Sequence, residues 1–211
     1  MGKKLEIPVS VALSCVEMLQ AGAEGAQREQ AAMARRGVLQ MYRTIEQFWL
    51  LEELRAGQVE LEAENLSAAG LLLGVTREAD EMFQERNVTL KVQVNVGVTA
   101  RADQEAVRQA LWILLEKRLR ASRSGDTVTV TAQRTPWGTQ IGVSGGAEPW
   151  MEDDDETEIV RELVRLHGSE LRTEGSDASF RLPAVREHYL RSSKVEDRKG
   201  IPMEELERGS F

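Results

Sequence analysis

The stretch Leu51-Glu-Glu-Leu-Arg-Ala-Gly-Gln-Val-Glu-Leu-Glu62 holds two periodicities, and its reading decides the fold. Leu51 and Leu54 continue a helical spacing that comes in from the left. Val59 and Leu61 alternate with Glu60 and Glu62, the two-residue period of a strand. Gly57 lies between them and stops the helix. The chain therefore changes at about residue 57 from paired helices to a mixed α and β order.

To the left, Leu5, Val9, Ala12, Val16 and Leu19 are spaced 4, 3, 4, 3, a heptad seam on one helix. Pro8 falls in its first turns, where a missing N–H costs least. Gly22-Ala-Glu-Gly25 is a break. A second helix carries Ala34, Val38, Met41, Ile45 and Phe48 at the same spacing, with Leu50, Leu51 and Leu54 extending its apolar surface. Two such helices form a hairpin whose own core is too small for stability. Leu39, Tyr42 and Trp49 lie beside the seam, so more than one side seeks cover. Two hairpins pairing into a four-helix bundle satisfy both, which predicts a homodimer with Val16, Met41, Ile45 and Phe48 at its interface.

To the right, Ser67 can cap a helix running to about Arg86, with Leu71, Leu72, Val75, Ala79 and Phe83 inward. Val88, Leu90, Val92, Val94 and Val96 then alternate with polar residues as a half-buried strand. A helix follows from about Asp103 to Ala121. Strands at Val128–Ala132 and Gln140–Val143 flank the turn Thr135-Pro-Trp-Gly138. A helix near Glu156–His167 and strands near Glu170–Thr173 and Ala178–Leu182 complete the order. This reads as an α+β sandwich, one mixed sheet with helices on one face. The expected division is a hairpin over 1–57, the sandwich over 58–185 and a polar, loose tail over 186–211.

Composition excludes several classes. Lys+Arg is 27 and Asp+Glu is 35, a net charge of −8 over 211 residues, which argues against a general nucleic-acid binder. One cysteine, Cys15, excludes an intramolecular disulfide, and with two histidines no zinc-type cluster can form. No apolar run approaches the ~18–20 residues of a membrane span. Lys3, Lys4 and the apolar run to Cys15 imitate a short secretion signal, but Glu6 and Pro8 interrupt it. A cytoplasmic helix with a buried cysteine is the expectation.

A helical hairpin followed by this order resembles the core of a bacterial sensor histidine kinase. There the hairpin is the dimerisation and phosphotransfer domain, and the sandwich is the ATP-binding domain shared with gyrase and the Hsp90 chaperones. The resemblance spans about residues 3–185. Ile7-Pro-Val-Ser-Val-Ala-Leu-Ser-Cys-Val-Glu-Met-Leu19 looks like the segment after the phosphoacceptor histidine, and Leu51–Glu62 like the end of the second hairpin helix and the first strand. Ala102-Asp-Gln-Glu-Ala-Val-Arg-Gln-Ala-Leu111 is similar to the lead-in to the asparagine box. Ile159–Leu171 and Ser179-Phe-Arg-Leu-Pro183 resemble the end of the ATP domain.

The motifs that carry the family's chemistry do not follow. His-Glu-Leu-Arg-Thr-Pro lies over Lys3-Lys-Leu-Glu-Ile-Pro8, so the phosphoacceptor falls on Lys3, whose ammonium cannot serve as a phospho-imidazole relay. The asparagine box lies over Ile113-Leu-Leu-Glu-Lys-Arg118. Its metal-binding asparagine becomes Lys117, a cation where Mg²⁺ needs oxygen. Asp-x-Gly-x-Gly lies over Gly145-Gly-Ala-Glu-Pro149, and the adenine-binding aspartate becomes Gly145. The later glycine-rich box falls on about 153–157, inside the acidic run Glu152–Glu158, where carboxylates repel a triphosphate. The lid between the last two boxes is nearly absent.

The resemblance thus implies a pseudo-enzyme with no catalytic residue, cofactor or metal, acting as an adaptor in a two-component pathway. Its partners would be a response-regulator receiver domain, a true kinase or a scaffold protein. The receiver-docking face would carry Glu6, Ser10, Ser14 and Glu17, one helical turn apart or nearly so. The emptied cleft around Lys117 and Gly145 is the second candidate surface. An atypical phosphotransferase is the alternative, although residues 1–166 hold no histidine. A fragment of a longer sensor is another. The acidic run is expected to be a solvated loop or helix start. Lys117, Arg118 and Arg120 either cover the emptied site or form an exposed basic face. His167 is expected at a helix C-terminus, and Trp49 and Trp112 as core or interface anchors.

Overall fold

The computed structural model describes residues 3–95, 97–150 and 154–184, with side chains from residue 8 onward. The expected tail over 186–211 and the side chains of Lys3 and Glu6 lie outside the described residues.

Helices α1 (Lys3–Gly22) and α2 (Ala26–Arg55) are joined at Ala23–Gly25, where Gly25 takes a positive φ. They pack side by side, Val9, Ala12, Leu13 and Val16 of α1 and Val38, Leu39, Tyr42 and Ile45 of α2 being half-buried. The expected heptad seam is split. Val16 and Ile45 are half-buried, whereas Leu19, Met41 and Phe48 are exposed in the single chain. Cys15, expected to be buried, is exposed as well, because it shares an outer stripe with Val11 and Met18.

After Gly57 come β1 (Glu64–Ser67), α3 (Ala68–Glu85), β2 (Thr89–Val94), β3 (Thr99–Ala102) and α4 (Gln104–Arg120). Then follow β4 (Thr127–Thr135), β5 (Gly138–Gly145), α5 (Asp155–Leu166), β6 (Arg172–Glu174) and β7 (Asp177–Leu182). The main sheet has the order β2-β4-β5-β7-β6, with only β2 and β4 parallel. Val128, Val130, Ala132, Ile141, Val143, Ala178, Phe180 and Leu182 face the helices, and Thr129, Thr131, Gln140 and Ser179 the other side. Helices α3, α4 and α5 thus cover one face, and their apolar stripes form the core with Leu72, Val75, Phe83, Leu114 and Leu163 at its centre.

Two strand expectations are corrected. The first strand is β1, not Val59–Glu62. Val59 and Leu61 pack against the core from irregular chain, and strand pairing starts at Glu64, where β3 supplies an antiparallel partner. Strand β3 was not expected at all. Its alternation, Val98, Ala100 and Ala102 buried against Thr99 and Arg101 exposed, is short and built on alanine. The caps fall where expected: Ser67 Oγ accepts the Gly70 N–H, and Asp103 Oδ1 accepts the Ala106 N–H at 2.9 Å.

Candidate functional site

Helix α4 is buried without a break from Ile113 to Leu119, and this run includes Glu116, Lys117 and Arg118. Three charged residues in a core need partners close by. Each has them, and the partners define the site.

The Lys117 side chain is 6% exposed, and its Nζ pairs with Asp154 Oδ2. Asp154 caps α5, its other oxygen accepting the Thr157 N–H at 2.8 Å. Burial pushes the Asp154 carboxyl up, but hydrogen bonds from Lys117 and Thr157 outweigh this and hold it below the usual carboxylate range. Arg118 lies over Trp150, its guanidinium carbon 4.3 Å from the ring centre. Its Nη1 donates to the carbonyls of Glu148 at 2.9 Å and Ser176 at 3.0 Å. Burial lowers the Arg118 pKa, with Asp177 and Glu148 acting the other way. Lys117 Nζ also lies 5.6 Å from the same indole. Trp150 is 7% exposed and closes this stack.

The connection from β5 to α5 is strapped onto the plug so formed. Ala147 N–H donates to Ala121 O at 3.1 Å, and Trp150 N–H to Gly175 O at 2.7 Å. Gly145 has φ 102°, and a Cβ there would lie 2.2 Å from Thr127 O. An aspartate at this position would require the backbone to move.

The described part of the acidic run, 154–158, forms ion pairs within the chain. Besides Asp154, Glu156 pairs with Arg120, while Asp155 and Glu158 face Arg55 of α2 at 3.7 and 2.7 Å. The described part of the run is the N-cap and first turn of α5, the helix start that the sequence suggested, and its carboxylates are paired within the chain. Lys117 and Arg118 cover the cleft, and only Arg120 is exposed. His167 is the C-cap of α5. Its Nε2 accepts the Asp103 N–H at 3.1 Å, so Nδ1 carries the proton and donates to Leu163 O at 2.7 Å. Both ring nitrogens are engaged, Nδ1 within α5 and Nε2 at the start of α4. Trp112 is half-buried and carries Arg43 of α2 on its face at 4.7 Å, and Arg43 also pairs with Glu116 at 3.0 Å.

Of the residues expected at a site, Lys117 lies in the C-terminal half of α4 and Gly145 at the end of β5, and Arg118 between them reaches toward the Gly145 carbonyl at 3.5 Å. Ser10, Ser14 and Glu17 are exposed on α1, some distance along the chain from them, and Glu17 pairs with Arg35 at 3.5 Å. Sequence reasoning missed Trp150 and the counter-ion role of Asp154. The signal was present: a lone tryptophan in a shortened connection just before an acidic run, opposite two basic residues.

No family model matches the chain. The sensor protein DivL of Caulobacter vibrioides is 28% identical over 144 residues, 67% of this chain and 19% of that protein. The chain thus spans about a fifth of the length of this curated relative. The Acinetobacter baumannii histidine kinase AdeS superposes with a TM-score of 0.61 at 12% identity, over 85% of this chain and 96% of that one. Full-length ShkA in complex with AMPPNP gives 0.61 at 18% identity, over 87% and 45%. Histidine kinase ThkA in complex with response regulator protein TrrA gives 0.57 at 15%, over 87% and 59%. The fold is that of a histidine kinase core. Against that fold, the cleft beside α4 is where a nucleotide and its magnesium ion would be held. The side chains present do not fit them: an ammonium already paired with Asp154 stands where oxygen ligands are needed, and Arg118 and Trp150 fill the space beside it.

Proposed function

We propose that this chain is a non-catalytic signalling adaptor built on the histidine kinase fold, working by binding a protein partner in a bacterial two-component-type pathway. The observation that carries this reading is the plug of Lys117, Arg118, Trp150 and Asp154, which replaces ligand contacts with internal ones. Residues 1–57 form the dimerisation hairpin and 58–185 the degenerate ATP-binding-like domain. The chain acts as a homodimer in the cytoplasm. Six of the eight large apolar side chains exposed among the described residues support the dimer, because they lie on α1 and α2: Val11, Met18, Leu19, Met33, Met41 and Phe48. Of the four residues expected at the interface, Met41 and Phe48 belong to this set, while Val16 and Ile45 support it from the packed side. The partner face is the exposed side of α1 at Ser10, Ser14 and Glu17, with Glu6 one turn before it, and a receiver domain is the partner that the fold favours.

Calorimetry with Mg-ATP tests the loss of nucleotide binding. No saturable heat is expected up to millimolar concentration, and a Kd below about 100 μM, roughly −5.5 kcal/mol, overturns the reading. For the partner face, Ser10→Arg with Ser14→Arg is expected to abolish binding of the cognate receiver domain while the dimer persists. Binding at unchanged affinity would move the site elsewhere.

A further inference from the structure

Three helices are joined by a ring of opposite charges. On α4, two consecutive buried residues are held by different neighbours: Glu116 by Arg43 of α2 at 3.0 Å, and Lys117 by Asp154 at the start of α5. On α5, the same turn reaches back to α2. Arg55 grips Glu158 with two prongs, Nε to Oε1 at 3.1 Å and Nη2 to Oε2 at 2.7 Å, and Asp155 lies 3.7 Å from it. Arg43 and Arg55 belong to one helix, so the ring closes from α2 to α4, from α4 to α5 and from α5 to α2. Glu156 adds a second tie between α5 and α4 through Arg120. Between the two arginines in sequence, Leu51 and Leu54 are buried in the core. A single exposed ion pair fixes little, but this ring has buried members. The Glu116 side chain is 9% exposed and that of Lys117 6%, so opening the ring at either residue strands a charge inside the protein.

We propose that this ring is a latch: it fixes the hairpin in one orientation on the sandwich and couples the cleft at Lys117 to the end of α2 at Arg55. The coupling runs through the first turn of α5. Asp154 faces the cleft and its chain neighbour Asp155 faces the hairpin, with Glu158 one turn on. A shift of this turn moves both contacts together. Swinging α2 away from the sandwich breaks both arginine pairs and uncovers Leu51 and Leu54. Removing the Lys117 ammonium frees the turn that Arg55 holds, without touching Arg55 itself. A protein that grips the hairpin is then felt at the cleft, and a change in the cleft is felt by the hairpin. The Arg43 guanidinium also lies over the Trp112 ring at 4.7 Å, which keeps the α2 to α4 arm of the ring in place.

Spin-label distances in the full chain test this. In a Cys15→Ser background, Thr44→Cys places a label on the exposed side of α2 and Gln133→Cys one on the exposed face of the sheet. Labelled chains are diluted with unlabelled ones, so that only distances within one chain are read. The expected result is one narrow distance, broadened at least about twofold by Arg43→Gln with Arg55→Gln. Lys117→Met, whose ammonium pairs with α5 and not with α2, should broaden it as well. Arg55→Glu should broaden it, and Glu158→Arg added to Arg55→Glu should narrow it again, which separates the latch from mere loss of stability. A broad distribution in the wild type overturns the latch, and so does a narrow one in the double arginine variant or a swap that restores nothing. A distribution that Lys117→Met leaves unchanged overturns the coupling of cleft and hairpin.

Discussion

The sandwich and the hairpin solve the burial problem in opposite ways. Leu72, Ala79, Phe83, Leu114, Val128, Ile141 and Leu182 are all fully buried within the sandwich, enclosed by the sheet on one side and helices on the other. Among the described hairpin residues only Leu51 and Leu54 are buried, and both belong to the core cluster of the sandwich. Met41 remains 62% exposed and Phe48 57%. A two-layer fold can close its own core, whereas two helices can cover only one stripe of each other. The sandwich therefore closes most of its own core, to which Leu51 and Leu54 of α2 are added, and it even holds charged residues. The hairpin advertises a surface.

Three substitutions sharpen this contrast. Phe83→Ala removes a fully buried ring and should lower stability by about 3–5 kcal/mol, read by urea unfolding. A loss below 1 kcal/mol would mean that the sandwich core is loosely packed. Met41→Asp with Phe48→Asp should leave urea unfolding of the sandwich almost unchanged but weaken dimerisation at least about 100-fold, ~2.7 kcal/mol. Light scattering then changes from twice the chain mass to 23.6 kDa. A wild type that already runs at 23.6 kDa breaks the comparison.

The smallest effect concerns the plug. Lys117→Met keeps the apolar stem but leaves Asp154 without its ammonium, and because Asp154 is 38% exposed the loss is expected at only about 1–2 kcal/mol. The pH dependence has a definite sign. Asp154 is held below its ordinary value when folded, so its contribution is complete above about pH 4 and is lost as the pH falls through the folded value. In the variant that acid loss should shrink. An acid profile identical to that of the wild type would remove Lys117 as the cause of the depressed carboxyl.

Most helices were legible in the residues because each carries its own signal. Ser67 and Asp103 cap α3 and α4 with side-chain oxygens three residues before the amides they accept from, and Gly57 ends the hairpin by a local backbone preference. Strand β1 was misplaced for the opposite reason: Glu64-Asn-Leu-Ser67 has one inward apolar residue and is a strand because β3 lies beside it. Lys117 and Gly145 could be read position by position as departures from the pattern the sequence resembles. What surrounds them could not. Cation–π stacking of Arg118 on Trp150, 32 residues apart, has no local periodicity to announce it.

Sequence alone, then, determined the change of architecture at Gly57, the caps and the alternation of the main strands. All of these depend on residues within a few positions of one another. Tertiary structure alone decided that the acidic run supplies counter-ions, that Lys117 and Arg118 are buried rather than solvated, and that Met41 and Phe48 are left uncovered. Each of these is a matter of which distant surface meets the side chain, and a charge or an apolar group takes its energetic meaning from that neighbour.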